Sequence, residues 1–260
     1  MAQIPALKRS VIRRSRIQDV LTVRSWLEQE KAQGVDGNFL CNWSIIQDCH
    51  DSKELLVYID GDSNQAVAFQ LGRLLQTGIL QVKNDFRHRG IGTKLVEYCI
   101  MLARRKGECL LIVQCTPPTS IPFWERMGFT LSPGPNQDNK AYRVLERLNT
   151  LSIEGTPTIV TIRFFHERRK WDAAVRACFE VVVAGKILPG GATALSKSVL
   201  FHDGEHPNMQ DVVVEIVRDD ERLFLDKAKY FEAARRGVTR CRNGWSIDRI
   251  ESAAIFERNV

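Results

Sequence analysis

The sequence predicts an α+β protein of two domains, and three observations carry that prediction. Over residues 11–147, strand-like and helix-like segments alternate in the order β-α-β-β-β-α-β-α-β. A short basic loop with two glycines, Arg87-His88-Arg89-Gly90-Ile91-Gly92-Thr93, sits between a strand pattern and the longest helical pattern of that half. Between Leu148 and Pro157, Asn, Thr, Ser, Gly and Pro gather without periodicity, which marks a boundary between 1–150 and a smaller α+β domain at 151–260.

The elements follow in order. Val11–Asp19 reads as a strand and Val20–Ala32 as a helix, with Asp19 as N-cap, Val20, Val23, Trp26 and Leu27 at helical spacing, and Gly34 as a stop. Phe39–Cys49 fits either type. Glu54–Ile59 and Ala66–Leu71 flank the turn cluster Asp60–Asn64 and predict a hairpin. Gly78–Val82 is a strand. Ile91–Lys106 is a helix with two adjacent apolar stripes, Arg104, Arg105 and Lys106 at its negative end and Gly107 at C′. Cys109–Cys115 is an apolar strand, Ile121–Met127 a short helix and Ala141–Leu145 a strand. In the second half Thr158–Phe165, Asp211–Val217 and Trp245–Phe256 read as strands. Arg222–Arg236 reads as a helix capped by Asp219 or Asp220, and Trp171–Ala184 has helical spacing, although its Val181–Val183 run also suits a strand.

Composition narrows the function classes. Hydrophobic residues make up 44% and charged residues 26%, which excludes collagen-like and disordered chains. No apolar run reaches membrane-spanning length, and the N-terminal segment lacks a secretory apolar core, so a soluble cytoplasmic protein is expected. Seven scattered cysteines without a C-x-x-C pair read as reduced thiols. Residues 1–150 carry 20 Lys+Arg against 15 Asp+Glu, and the remainder 17 against 16, so the first half is the basic one. That favours an anionic ligand, phosphate or nucleic acid.

The glycine loop has the chemistry of a phosphate site. The first amides of a helix have no intrahelical partner and the dipole is positive there. Gly90 and Gly92 remove side chains where a phosphate must approach backbone, while Arg87 and Arg89 add charge and Thr93 a hydroxyl. The Lys-Ser/Thr ending of a P-loop is absent, and the dinucleotide pattern lacks its third glycine. Instead the spacing L-x-V-x(4)-R-x-x-G-x-G, from Leu80 to Gly92, resembles the acetyl-CoA pyrophosphate loop of the GNAT N-acetyltransferase superfamily. Phe123-Trp124-Glu125-Arg126-Met127-Gly128-Phe129 is similar to that family's F-Y-x-x-x-G-F segment, and the opening strand and helix match as well.

The resemblance covers about residues 8–149. It implies a mixed, splayed sheet flanked by helices, and transfer of an acetyl group from acetyl-CoA to a primary amine, with no metal. Val82 would bond the pantetheine through its backbone, and Arg87, His88, Arg89, Gly90, Ile91, Gly92 and Thr93 would cradle the pyrophosphate. The tyrosine that protonates the departing thiolate in many members is Trp124 here, and indole N–H is no acid at neutral pH. Three outcomes stay open: another acid, unassisted departure of the thiolate, or a module that binds acetyl-CoA or CoA without catalysis. Cys115, Asp85 and Tyr98 read as core, turn and packing residues, and the strand before the loop offers Gln81 rather than a carboxylate, so no catalytic residue is assigned.

The acceptor and the oligomeric state stay unassigned. Acetylation of a nucleic acid or aminoacyl-tRNA is a further alternative, motivated by the basic first half and by three Arg-rich clusters: Lys8, Arg9, Arg13, Arg14 and Arg16; Arg168, Arg169, Lys170 and Trp171; and Arg235, Arg236, Arg240 and Arg242 beside Trp245. His202-Asp203-Gly204-Glu205-His206 matches H-x-x-E-H, but Gly204 and Pro207 indicate a loop, where zinc-ligand spacing fails.

Overall fold

The structure is a computed structural model that describes residues 9–252 except 73, 75–77, 133–138, 150–153, 168–171, 173, 203, 205 and 207–210. Lys8, the cluster Arg168–Trp171, Asp203 and Glu205 lie outside the described residues. The chain divides into two compact units, residues 1–107 with 111–143, and residues 108–110 with 144–260.

The first unit opens with β1 (Val11–Arg14) and α1 (Ile17–Ala32). The helix starts a turn earlier than the sequence suggests. Asp19, expected as its N-cap, stands at the third helical position, where its carboxylate accepts the Arg16 amide at 2.6 Å and a two-pronged ion pair from Arg13 at 2.6 and 3.0 Å. One member of the N-terminal basic run is thereby a structural residue. The ambiguous stretch resolves into a 3₁₀ turn and α2 (Trp43–Asp51). The hairpin is present as β2 (Leu55–Ile59) and β3 (Ala66–Leu71), followed by β4 (Leu80–Val82), and the first sheet runs β1-β2-β3-β4 with antiparallel neighbours.

Both central strands are buried along their whole length, because α1 and α2 cover one face and α3 (Ile91–Arg105) the other. On the first face Trp26 lies 5.9 Å from Phe69, centroid to centroid, and donates its indole N–H to the Ala66 carbonyl. On the second, Ile91 and Leu95 of α3 pack on Tyr58, Val67 and Ala68. Then come β5 (Leu110–Gln114), α4 (Ile121–Arg126), a two-residue β6 (Thr130–Leu131) that the sequence does not announce, and β7 (Lys140–Val144), in a second sheet of order β5-β7-β6. The sheet is therefore split after β4.

The second unit is a seven-stranded sheet made of β8 (Thr156–His166), β9 (Phe179–Ile187), β10 (Thr193–His202), β11 (Val212–Arg218), β12 (Glu221–Lys227), β13 (Val238–Cys241) and β14 (Gly244–Ile250). Its order is β12-β11-β8-β9-β10-β14-β13, with antiparallel neighbours, and its one helix among the described residues is the short α5 (Phe231–Arg235). Phe164 and Phe201 stack at 4.2 Å in its core.

Two helix expectations are corrected here. Residues 179–184 are strand: Val181 and Val183 face Ile162 and Val160 across the β8–β9 ladder, where β-branched residues pack well. Residues 222–227 are also strand. Asp219 and Asp220, read as helix caps, instead make a hairpin turn between β11 and β12 with φ of 45° and 67°. Two successive positive φ values are the signature of a type I′ turn, and Asp tolerates them. The Asp219 carboxylate is fastened by Thr158 Oγ1 at 2.6 Å and the Ile159 amide at 3.0 Å. His202 ends strand β10, so the first histidine of H-x-x-E-H lies on a strand and not on a helix.

The turn makes a signed prediction. Asp220→Gly relieves the left-handed strain and stabilises the protein by about 0.5–1 kcal/mol in urea unfolding, whereas in a helix the same change costs a similar amount.

Candidate functional site

At the split in the sheet, β4 ends and the chain enters a 3₁₀ turn at Asn84–Phe86, then the glycine loop, then α3. The backbone accounts for the glycines. Gly90 is the N-cap of α3 with φ 74°, a conformation that disfavours any Cβ, and no side chain caps the helix. The first intrahelical bond is Lys94 N–H to Gly90 C=O, so the amides of Ile91, Gly92 and Thr93 precede it. A Cβ on Gly92 would stand 3.4 Å from the Phe123 ring and 3.8 Å from Val82, in van der Waals contact with two residues of the cleft lining.

This cleft has a volume of about 570 Å³. Val82, Arg87, His88, Gly90, Ile91, Gly92 and Thr93 line it together with Phe39, Thr116, Ser120 and Phe123. Arg89 is turned elsewhere: its guanidinium lies 4.7 Å over the Phe86 ring and donates to the Asp85 carbonyl at 2.8 Å. Arg87 is anchored in the wall, with Nε donating to the Val82 carbonyl at 3.2 Å and Nη2 to the Asp36 carbonyl at 3.3 Å. His88 is exposed, with φ 62°.

β4 is the last strand of its sheet. Bonds from Leu71 N–H to Ile79 C=O and from Lys83 N–H to Val67 C=O flank the β3–β4 ladder. Bonded pairs alternate in an antiparallel ladder, so the backbone groups of Leu80 and Val82 point away from β3 toward the cleft. An extended, amide-bearing ligand can pair with that edge.

One residue that positions this site escapes sequence reasoning. Glu30, near the end of α1, is buried at 3% exposure, and its carboxylate accepts the Asn84 amide at 2.6 Å and the Gln81 side-chain amide at 3.1 Å. Gln81 in turn accepts the Phe39 amide at 3.0 Å. The carboxylate thus ties α1, β4, the start of the glycine loop and the loop after α1 into one frame. In sequence Glu30 lies between Gln29 and Lys31 and looks like any polar helix position.

The other acid–base candidates have structural surroundings. Trp124 is buried edge-on between Phe123 at 5.0 Å and Phe129 at 5.3 Å and does not line the cleft. Cys115 is fully buried, and burial, reinforced by the Glu125 charge, pushes its thiol up, away from thiolate formation. Asp85 is exposed in the 3₁₀ turn, and Tyr98 lies on α3 outside the cleft lining.

Removing the Glu30 carboxylate strands two amide donors, one of them on the buried Gln81. Glu30→Ala is expected to cost about 2–3 kcal/mol in urea unfolding, and Glu30→Gln less, because its oxygen still accepts one donor.

Part of the first unit is similar to a known family. Residues 51–131 match the family described as "Acetyltransferase (GNAT) domain". No curated protein matches the sequence. Among solved structures, a GNAT-family acetyltransferase from Staphylococcus aureus Mu50 is 14% identical, with 53% of this chain and 99% of that chain covered at a TM-score of 0.41. The Escherichia coli GNAT N-acetyltransferase YhbS, solved with CoA, is 17% identical over 56% of this chain and 86% of its own, at 0.41. A GNAT acetyltransferase from Brucella melitensis, solved with acetyl-CoA, is 17% identical over 53% and 89%, at 0.40. The matched segment spans the β4–α3 loop and α4.

Proposed function

We propose that this protein transfers an acetyl group from acetyl-CoA to a primary amine of an acceptor. The observation that carries this reading is the uncapped, glycine-started α3 N-terminus opening beside β4, an edge strand of its sheet. The fit to the donor is chemical. A diphosphate needs converging amides and no Cβ at the contact, and a pantetheine arm needs an extended partner for its two amides. The amides of Ile91–Thr93 with the Arg87 charge answer the first need, and the outward backbone of Leu80 and Val82 the second.

The bound donor supplies an activated thioester. The chain's residues orient it: α3 holds the diphosphate end, β4 the arm, and Phe123 walls the cleft. The acceptor amine attacks as its neutral form and loses a proton after attack. The rate is therefore expected to rise with pH as the neutral fraction of the amine grows. We assign the second unit to acceptor recognition or assembly.

A second reading is favoured by one observation. Trp124 occupies the position of the family's usual acid and is packed against Phe123 and Phe129, which suits a module that binds CoA without turnover. Calorimetric titration with acetyl-CoA, followed by a free-thiol assay with an amine panel, separates the two. Micromolar binding with thiol release supports transfer; binding without release on any amine supports the module. Absence of binding contradicts both.

Gly90→Asp tests the anion site directly. It sets a carboxylate at the mouth of the cradle, where a Cβ on Gly90 would meet no atom within 4 Å. CoA affinity is expected to fall by at least about 100-fold, while the left-handed backbone at Gly90 costs the variant about 1 kcal/mol of stability.

A further inference from the structure

The sequence scatters seven cysteines without a paired motif, yet the second unit brings two of them together. Cys109, just before β5, and Cys241, at the end of β13, are 132 positions apart, and their side chains come within interaction range of each other. The Arg147 guanidinium donates to the Cys109 sulfur from the other side. Cys109 also lines a cavity of about 170 Å³ in this unit, with Arg147, Lys197, Ser198 and Ser246 on its walls. A space of that size admits a small polar molecule to an otherwise buried sulfur.

We propose that Cys109 and Cys241 form a peroxide-reactive dithiol pair that closes to a disulfide. The Cys109 thiolate attacks one oxygen of a hydroperoxide. A sulfur–oxygen bond forms, the O–O bond breaks, sulfur is oxidised by two electrons to a sulfenic acid, and the leaving oxygen departs as hydroxide or alkoxide and takes up a proton. The Cys241 sulfur then attacks the Cys109 sulfur, losing its own proton; the S–S bond forms, the S–O bond breaks, and water leaves. In sum, two thiols and one hydrogen peroxide give one disulfide and two waters.

The local charges assign the roles. Interaction with Cys241, followed by the Arg147 charge and its bond, lowers the Cys109 thiol against the opposing effects of burial and Asp248. The Cys241 thiol is raised, chiefly through its interaction with Cys109, so it is the proton-bearing partner that resolves the sulfenic acid. Glu146 and Lys197 complete the charged groups around the cavity. Burial instead pushes up the thiols of Cys49, Cys99, Cys115 and Cys178. A lowered, cation-paired and reachable sulfur beside a second thiol is the arrangement that peroxide chemistry selects.

The test uses the full-length protein with one to ten equivalents of hydrogen peroxide, followed by alkylation and peptide mapping. The expected result is a linked 109–241 peptide formed at the lowest dose and reversed by dithiothreitol. In Cys241→Ser, Cys109 is trapped by dimedone, and Arg147→Gln slows the wild-type loss of Cys109 by about tenfold. The wild-type mapping needs no variant to fold. If Cys109 and Cys241 remain alkylatable while the exposed Cys41 is oxidised, the proposal is overturned.

Discussion

A buried carboxylate holds the cleft together. Glu30 reaches from the last turns of α1 to the Asn84 amide and the Gln81 side chain, and Gln81 passes the connection on to Phe39. Burying a carboxylate is costly unless hydrogen bonds replace its water, and here every partner is a group whose position matters to the site. One contact sets where β4 ends, another where the glycine loop begins, and the third fixes the loop opposite. The direction of α3 and the placement of its free amides depend on that frame.

Upon it the cleft-facing features are mostly backbone. The left-handed Gly90 turns the chain into α3 without offering a capping side chain, and Gly92 adds none beside Phe123. The two arginines of the loop divide the work. Arg87 clasps the carbonyls of Val82 and Asp36 and keeps its charge at the cleft, while Arg89 lies on Phe86 and braces the 3₁₀ turn. Trp124 brings no acid to the cleft, since packing holds its ring between two phenylalanines.

Legibility in the sequence tracks how local each constraint is. The strand–loop–helix around Gly90 and Gly92, the hairpin around Asp60–Asn64 and the helix ending at Gly107 are readable because neighbouring residues determine them. Glu30 is not, since its partners lie more than fifty residues away and its own neighbours are polar. In the second unit, residues 222–236 carry apolar spacing compatible with a helix, but the Asp219–Asp220 turn and the β11 ladder override it. β10 and β13 leave no local signal because β-pairing with distant strands, rather than local alternation, defines them. The meeting of Cys109 and Cys241 belongs to the same class. Arg240, part of a basic cluster in sequence, lies 5.2 Å over its cross-strand neighbour Trp245.

We read the α3 N-terminus and the β4 edge as one ligand site. Backbone hydrogen exchange of the protein with and without CoA tests it most directly. The account predicts slowed exchange at Leu80, Val82 and Ile91–Thr93, with little change in the second unit. Unchanged exchange across those residues at saturating CoA, or protection confined to the second unit, would contradict it.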